Sequence, residues 1–198
     1  MNYLQINKKI YDWLKIFSLS GWALALLCLW AFFEASFWFI APDFIIILLC
    51  FLAPKKYRKF IFIALIVSLL GGIAYYAFTS SYFNQSNEIL MKTPFVSEKN
   101  MGFVENLYVK NGVSATILQS VTLIPFKIWT NNVVKHNLDA FIYFLLVGIS
   151  RTFRFFIFGF LATYLRKKLR KNTERHILLI FLVYAALFMG VIFLLDPR

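Results

Sequence analysis

Six apolar runs dominate the sequence and constrain its fold more than any other feature. They cover residues 16–33, 35–53, 60–78, 115–129, 140–165 and 177–195. The chain is 61% hydrophobic and only 15% charged, which is too apolar a balance for a water-soluble domain of 198 residues. A helix needs about 20 apolar residues to cross a bilayer. The sequence therefore predicts an all-α integral membrane protein.

Three of the runs are long and lack proline, and these predict transmembrane helices. They cover residues 60–78, 140–165 and 177–195. Residues 1–33 are expected to remain in the mature protein as an N-terminal apolar helix. Its flanks leave two orientations open, because it could span the membrane or lie along the cytoplasmic surface. The expected total is three to four transmembrane helices.

Two other runs are interrupted by a proline beside a charged residue. The first contains Pro42 and Asp43, and the second contains Pro125 and Lys127. Proline removes a backbone donor and a charge opposes burial in lipid, so each run predicts two short helices that meet at a bend. We expect re-entrant hairpins at residues 34–53 and 113–134, with their bends at the two prolines.

Two basic blocks predict which ends of the helices face the cytoplasm. They are Lys55, Lys56, Arg58 and Lys59, and then Arg166, Lys167, Lys168, Arg170, Lys171 and Arg175. Basic residues beside apolar runs are retained on the cytoplasmic side, whereas residues 80–112 balance three lysines against three glutamates and are expected outside. The net charge of +12 is thus explained by membrane flanks, and nucleic-acid binding is not expected.

With these sides assigned, the two hairpins enter the membrane from opposite faces. Each is followed by a transmembrane helix, an inverted-repeat arrangement that is common in transporters. We expect the central unit to cover residues 34–168. Residues 169–198 then form a cytoplasmic basic loop and a C-terminal transmembrane helix.

The outer segment contains one strong helix signal. Ser97 can cap a helix that ends at Gly112, and four apolar residues would share one face of it. They are Met101, Val104, Leu107 and Tyr108. This helix is expected to lie on the membrane surface or to cover the second hairpin.

Helical rise places four charged residues at similar depth. Counted from the basic blocks, Asp43 lies ~15 Å into the membrane, Arg154 ~18 Å and Arg151 ~22 Å, and Lys127 lies ~18 Å below the outer end of its hairpin. Charges at this depth cost ~2.5 to 3.5 kcal/mol each unless they pair or face water, so they are candidate functional residues. Arg151 and Arg154 share a helix face, and their expected partners are Asp43 and Glu34.

Structural interpretations of the same residues remain open. Asp43 could only cap the helix that follows Pro42, and the two arginines could only lock the hairpin in place. Lys127 could extend to the outer interface, and Glu34 could lie at the membrane surface.

A stripe of small residues predicts close packing against a hairpin. It consists of Ala64, Ser68, Gly71 and Gly72. The sequence contains no nucleotide-binding loop, nucleophile motif or metal-ligand motif, so we expect no enzyme, no metal and no cofactor.

These residues together resemble the DedA superfamily, also called the VTT or SNARE-associated group, in its YqaA-like branch. The similarity rests on Phe33–Ser36 and Ile40–Asp43, on Ser68, Gly71, Gly72 and Tyr76, on Tyr108 and Gly112, on residues 122–127, and on Ser150–Phe156. The resemblance implies two opposed re-entrant hairpins, a bacterial plasma (inner) membrane location, and essential roles for Glu34, Asp43, Arg151 and Arg154. Relatives are associated with lipid movement across the bilayer and with proton-dependent membrane homeostasis.

Two functions follow as hypotheses. The first is a lipid flippase or scramblase for an anionic lipid or polyprenyl phosphate, with proton coupling, in which the arginine pair binds the phosphate and an acid titrates. The second is a non-transporting scaffold or stress-response protein in which the charges only stabilise the hairpins. The lipid identity, the coupling ion and any homo-oligomer are left open by the sequence.

Overall fold

A computed structural model of the chain describes residues 3–37, 40–93, 96–122, 124–169, 173 and 175–195, without the side chains of residues 188 and 191–195. The described residues form helices and contain no strand. The elements are α1 (Tyr3–Leu19), α2 (Gly21–Ser36), α3 (Asp43–Leu52), a 3₁₀ helix (Pro54–Lys56), α4 (Tyr57–Ser81), α5 (Phe83–Met91), α6 (Glu98–Asn111), a second 3₁₀ helix (Gly112–Ser120), α7 (Phe126–Lys135), α8 (Ala140–Leu169) and α9 (Ile177–Leu195). The all-α expectation is confirmed.

Within the part of the chain that the structure describes, two helices are long and apolar enough to cross a membrane. They are Pro54–Ser81, which joins the first 3₁₀ helix to α4, and α8. At 28 and 30 residues they are several residues longer than the apolar runs that predicted them. A third span would result if α1 and α2 together crossed the membrane as one broken helix.

The N-terminal region differs from the single apolar helix expected over residues 1–33. The chain bends by 69° between α1 and α2. Ser20 lies at this break, where its hydroxyl accepts a hydrogen bond from the backbone N–H of Ala23 at 3.3 Å and so caps α2. A capping serine supplies a new helix start inside an apolar run, which the length of the run alone cannot indicate.

Both predicted bends lie where helices end and begin. Pro42 directly precedes α3, and Pro125 directly precedes α7. The arms differ in length and type from the prediction, however. The arm before the first bend is the whole of α2 instead of a few residues after Ala35, and the arm before the second bend is a 3₁₀ helix over Gly112–Ser120.

The outer segment contains the predicted helix and one that was not predicted. Ser97 caps α6 by accepting a hydrogen bond from the N–H of Asn100 at 3.2 Å, and Gly112 ends α6 with a φ of 57°. Val104 and Tyr108 are buried against the second hairpin, as expected. The additional helix is α5, whose polar sequence gives no apolar period long enough to predict it.

The small-residue stripe of α4 packs closely against both hairpins. A Cβ atom at Gly71 would lie 2.4 Å from the carbonyl oxygen of Phe32 on α2, and one at Gly72 would lie 3.0 Å from the ring of Phe126 on α7. All four residues of the predicted stripe, Ala64, Ser68, Gly71 and Gly72, are buried.

Residues from both basic blocks lie at one end of the bundle. Lys55 and Lys56, which follow α3, line the same pocket as Arg166 and Lys167 near the end of α8. Arg170 and Lys171, which the sequence assigned to the second block, lie outside the described residues. The shared location agrees with the expectation that both blocks face one side of a membrane.

Candidate functional site

The first ion pair of the candidate site joins the first bend to α8. The carboxylate of Asp43, the first residue of α3, accepts a hydrogen bond from the guanidinium of Arg154 through Oδ2. Its Oδ1 is buried and has no hydrogen-bond partner within the described part of the chain. The side chain of Asp43 therefore does not cap α3, because neither carboxylate oxygen accepts a hydrogen bond from a backbone N–H of that helix.

The second ion pair joins the end of α2 to the same face of α8. Arg151 donates two hydrogen bonds to the carboxylate of Glu34, from Nη1 to Oε2 at 3.0 Å and from Nη2 to Oε1 at 3.4 Å. Two parallel bonds of this kind fix both the distance and the orientation of the pair. The side chains of Arg151 and Glu34 are only 8% and 11% exposed, so the pair is buried within the protein.

Arg151 makes two further contacts that the sequence did not predict. Its Nη1 donates a hydrogen bond to the hydroxyl of Ser68 on α4. Its guanidinium carbon lies 4.4 Å from the centre of the Phe126 ring on α7. The arginine is thus fixed by a carboxylate, a hydroxyl and an aromatic face, which explains how a buried charge is tolerated.

Lys127 brings the second hairpin into the site. Its ammonium donates a hydrogen bond to the backbone carbonyl of Glu34 at 3.3 Å, and the residue is only 4% exposed. It therefore does not extend to an outer interface, and that interpretation is wrong. Lys127 is the second residue of α7, which begins directly after Pro125.

The ion pairs lie about three helical turns from the basic end of the bundle. Asp43 and Arg154 each precede a basic residue by 12 positions, Lys55 and Arg166, and those two basic residues line one pocket. Since Asp43 also pairs with Arg154, α3 and α8 run in the same direction between two common levels. Twelve helical residues correspond to ~18 Å, so the ion pairs lie about that far from the basic end of the bundle.

All five charged residues that the sequence selected meet in this one place. They are Glu34, Asp43, Lys127, Arg151 and Arg154, and they carry three positive and two negative charges. They come from α2, α3, α7 and α8, and Ser68 adds α4. The expected convergence of opposite charges at the two bends is present in the structure.

A layer of buried polar groups continues from the charged cluster into the second hairpin. The hydroxyl of Thr130 hydrogen-bonds that of Tyr143 at 2.8 Å, and the hydroxyls of Ser120 and Ser150 contact each other. The Oε1 atom of Gln119 is buried without a hydrogen-bond partner among the residues described. An interior this polar is costly in a membrane protein unless polar groups or water satisfy it.

Two contacts near the site differ from what the sequence predicts: the contact of Ser68 had a weak signal in the sequence, and that of Tyr184 had none. Ser68 was assigned to helix packing, although a hydroxyl within a span can also satisfy a buried charge. Tyr184 on α9 donates a hydrogen bond to the carbonyl of Phe44 at 2.7 Å and stacks on its ring, 4.8 Å between ring centres. Nothing in the spacing of the chain indicates that α9 would approach Asp43 from outside the hairpins.

The described residues contain no group of three His, Cys, Asp or Glu side chains close enough to bind a metal ion. The side chains that meet at the site are two acids, three basic residues and neutral hydroxyls. Such a set can bind an anion at the cations and can exchange protons at the acids.

Comparison with known proteins places the chain beside one relative. A protein of Haemophilus influenzae (strain ATCC 51907 / DSM 11121 / KW20 / Rd), described as an uncharacterized protein, is 27% identical over 177 residues, which cover 86% of this chain and 90% of that protein. No protein-family model matches the chain. No solved structure matches it either.

Proposed function

We propose that the chain is a DedA-type integral membrane transporter that moves anionic lipids, as a flippase or scramblase, with proton coupling. The observation that carries the proposal is the buried cluster of Glu34, Asp43, Lys127, Arg151 and Arg154 at the meeting point of both bends. Charged groups inside a membrane protein are expensive and usually mark a substrate or ion pathway.

The charge balance favours an anionic substrate. Three cations face two carboxylates, so the cluster has one positive charge in excess when all five groups are ionised. A lipid phosphate matches the planar donor groups of an arginine as well as a carboxylate does. A headgroup could therefore replace Glu34 or Asp43 at an arginine without a large change in local charge.

Protons enter this scheme through the two carboxylates. Asp43 uses only one carboxylate oxygen in its bond to Arg154, and the other is buried without a partner in the described residues. Protonation of Asp43 would remove its charge and release Arg154 for a phosphate. Loss of the proton would restore the ion pair and expel the headgroup, which links lipid movement to proton movement.

The direct test is a vesicle assay with the purified full chain. Lipids labelled on their headgroups, with anionic glycerol phosphate, zwitterionic choline or polyprenyl phosphate headgroups, would be followed by chemical quenching from outside. We expect the anionic classes to cross faster than in protein-free vesicles and to respond to an imposed pH gradient. No movement above protein-free vesicles in any class would end the proposal.

A matched pair of lysines on one helix makes the test specific. Lys127→Gln removes the buried cation, whereas Lys135→Gln removes an exposed lysine from the other end of α7. We expect the first change to lower anionic lipid movement at least about tenfold and the second to leave it unchanged. Equal effects would place the cluster outside the transport path.

The second candidate function is a non-transporting membrane scaffold. It is favoured by the fact that each arginine already has a carboxylate partner, as in a structural lock. In that case Asp43→Asn and Arg154→Gln would unfold the protein. Variants that remain folded but inactive in the vesicle assay would favour transport instead.

A further inference from the structure

A second cationic site lies at the basic end of the bundle, well apart from the ion pairs. It is a pocket of about 590 Å³ between α1, the start of the Pro54–Lys56 helix and the end of α8. Its basic lining residues are Lys15, Lys55, Lys56, Arg166 and Lys167, and none of its ten lining residues is acidic. Five basic residues from three separate parts of the chain border this pocket.

The back of the pocket is organised around Tyr11. This residue is 2% exposed, and its hydroxyl accepts a hydrogen bond from Arg166. Two cations also lie near the centre of its ring, the guanidinium of Arg166 at 5.3 Å and the ammonium of Lys15 at 5.8 Å. Arg166 donates a further hydrogen bond to Thr173 at 3.1 Å, so its position is fixed before any ligand binds.

The three other lysines supply adjustable charge. Lys55, Lys56 and Lys167 are exposed, and each can turn its ammonium toward a ligand at low cost. A fixed arginine beside flexible lysines suits an anion with several oxygens, because the arginine orients one group while the lysines neutralise the rest. The chemistry of the pocket thus points to a phosphate.

The remaining walls are apolar and favour a lipid over a soluble phosphate. They are formed by Leu19, Leu52, Ala53 and Pro54. Leu19 is 47% exposed and ends α1, so an apolar surface continues outward from the cationic pocket. A ligand with a phosphate and an attached hydrocarbon chain would contact both surfaces, whereas a free phosphate would use only one.

We propose that this pocket binds the phosphate headgroup of an anionic membrane lipid, at a site distinct from the ion-paired cluster. It goes beyond the transport function, because it lies ~18 Å along α8 from Arg154 and uses none of the same residues. Basic pockets between membrane helices on the side that carries the positive charge are suited to such headgroups. The site also gives α1, which precedes the DedA-like region, a role in closing the pocket.

Binding can be measured with the full chain in detergent by native mass spectrometry. The probes are phosphatidylglycerol, phosphatidylcholine and glycerol 3-phosphate, each titrated at low and high salt. We expect retention of phosphatidylglycerol over phosphatidylcholine, weaker binding of glycerol 3-phosphate, and a loss of affinity as salt rises. Equal binding of phosphatidylglycerol and phosphatidylcholine would overturn the proposal, and so would glycerol 3-phosphate binding as tight as that of the lipid.

Two matched pairs of variants locate the site. Lys55→Gln/Lys56→Gln removes two pocket charges, and Arg58→Gln/Lys59→Gln removes two exposed charges from the same block outside the pocket. The first pair should weaken phosphatidylglycerol binding roughly 30-fold, as expected for two basic residues at an anionic headgroup, and the second should have little effect.

Lys167→Gln and Lys168→Gln repeat this comparison at adjacent positions, since only Lys167 lines the pocket. Equal losses inside and outside the pocket, in either comparison, would mean a diffuse attraction to the basic surface and would refute the site. All variants change exposed side chains, so circular dichroism should be unchanged. Because the ion-paired cluster is intact in each, failure of this proposal would leave the vesicle assay of lipid movement unaffected.

Discussion

The bond between Asp43 and Arg154 allows the sharpest test of how the two hairpins are stabilised. A double-mutant cycle with Asp43→Asn, Arg154→Gln and the combined variant isolates the energy of this one pair. Each single change leaves the other group charged and buried without its partner. The combined change removes both charges and keeps side chains of similar size.

The expected magnitudes follow from burial. Removal of one partner of a buried ion pair costs about 3 to 5 kcal/mol in unfolding free energy, because the remaining charge is unpaired. Arg154 keeps 21% of its side chain exposed and is the less buried partner, so Asp43→Asn should cost about 3 kcal/mol, at the lower end of this range. Asp43 is only 11% exposed, so Arg154→Gln should cost about 4 kcal/mol.

The double variant should cost about 4 kcal/mol instead of the additive value of about 7 kcal/mol, which gives a coupling energy of about 3 kcal/mol. The measurement is reversible unfolding in mixed detergent micelles, followed by the fluorescence of the five tryptophans. A parallel cycle on Glu88 and Lys92 serves as the control, because that pair is exposed and should show no resolvable coupling. A coupling energy below about 1 kcal/mol for Asp43 and Arg154 would refute the structural account of the site.

Two further predictions concern packing and pH. Gly71→Ala should destabilise the protein by about 1 to 3 kcal/mol, because the added methyl group meets a backbone oxygen. Gly102→Ala in α6 adds its methyl group in open space and should stabilise the protein by about 0.5 to 1 kcal/mol. Thermal unfolding of both variants measures these changes, and equal effects would contradict the close packing at Gly71. The pKa of Glu105 is lowered by a hydrogen bond from Lys135 at 2.6 Å, so this pair stabilises the fold above the ordinary pKa of a glutamate and the contribution is lost as the pH falls through the lowered value. Glu105→Gln should therefore be less stable than the natural chain at pH 7, by less than about 1 kcal/mol because the side chains of Glu105 and Lys135 are both partly exposed. Near pH 3 the two proteins should be equally stable. A stability difference that persists in acid would contradict the assignment of the effect to the charge of Glu105.

The location of the site along the bundle could be predicted from the sequence because position along a helix axis is nearly a one-dimensional quantity. Counting helical residues from the basic blocks gives the level of Asp43 and Arg154, and the cost of a buried charge then requires opposite charges at one level to meet. The same reasoning gives Asp43 and Glu34 as the partners of the two arginines, but it does not say which arginine pairs with which acid. It needs no knowledge of how the helices are arranged in the plane of the membrane.

Features that depend on that lateral arrangement could not be predicted. The contacts of Ser68 and Phe126 with Arg151 depend on which helices are neighbours, and no periodicity along one helix encodes this. Local chemistry limited the prediction in other places. The break at Ser20 depends on one hydroxyl within an apolar run, and the 3₁₀ geometry of Gly112–Ser120 has no clear composition signal.

The geometry of the two ion pairs constrains how any movement of the first hairpin could occur. Glu34 lies just before the bend and Asp43 just after it, and both are bound by arginines three residues apart on α8. One helix therefore clamps both sides of the bend, and Lys127 bonds the carbonyl of Glu34 from the second hairpin. A shift of the bend relative to α8 must break at least one pair, at a cost of several kcal/mol. A bound phosphate that replaces a carboxylate, together with protonation of that carboxylate, offsets this cost because neither the arginine nor the acid is then left as an unpaired charge. If the bend moves during transport, lipid binding and proton uptake should therefore occur together. A variant whose acid can no longer change its charge, such as Asp43→Asn, should lose both lipid movement and its coupling to protons.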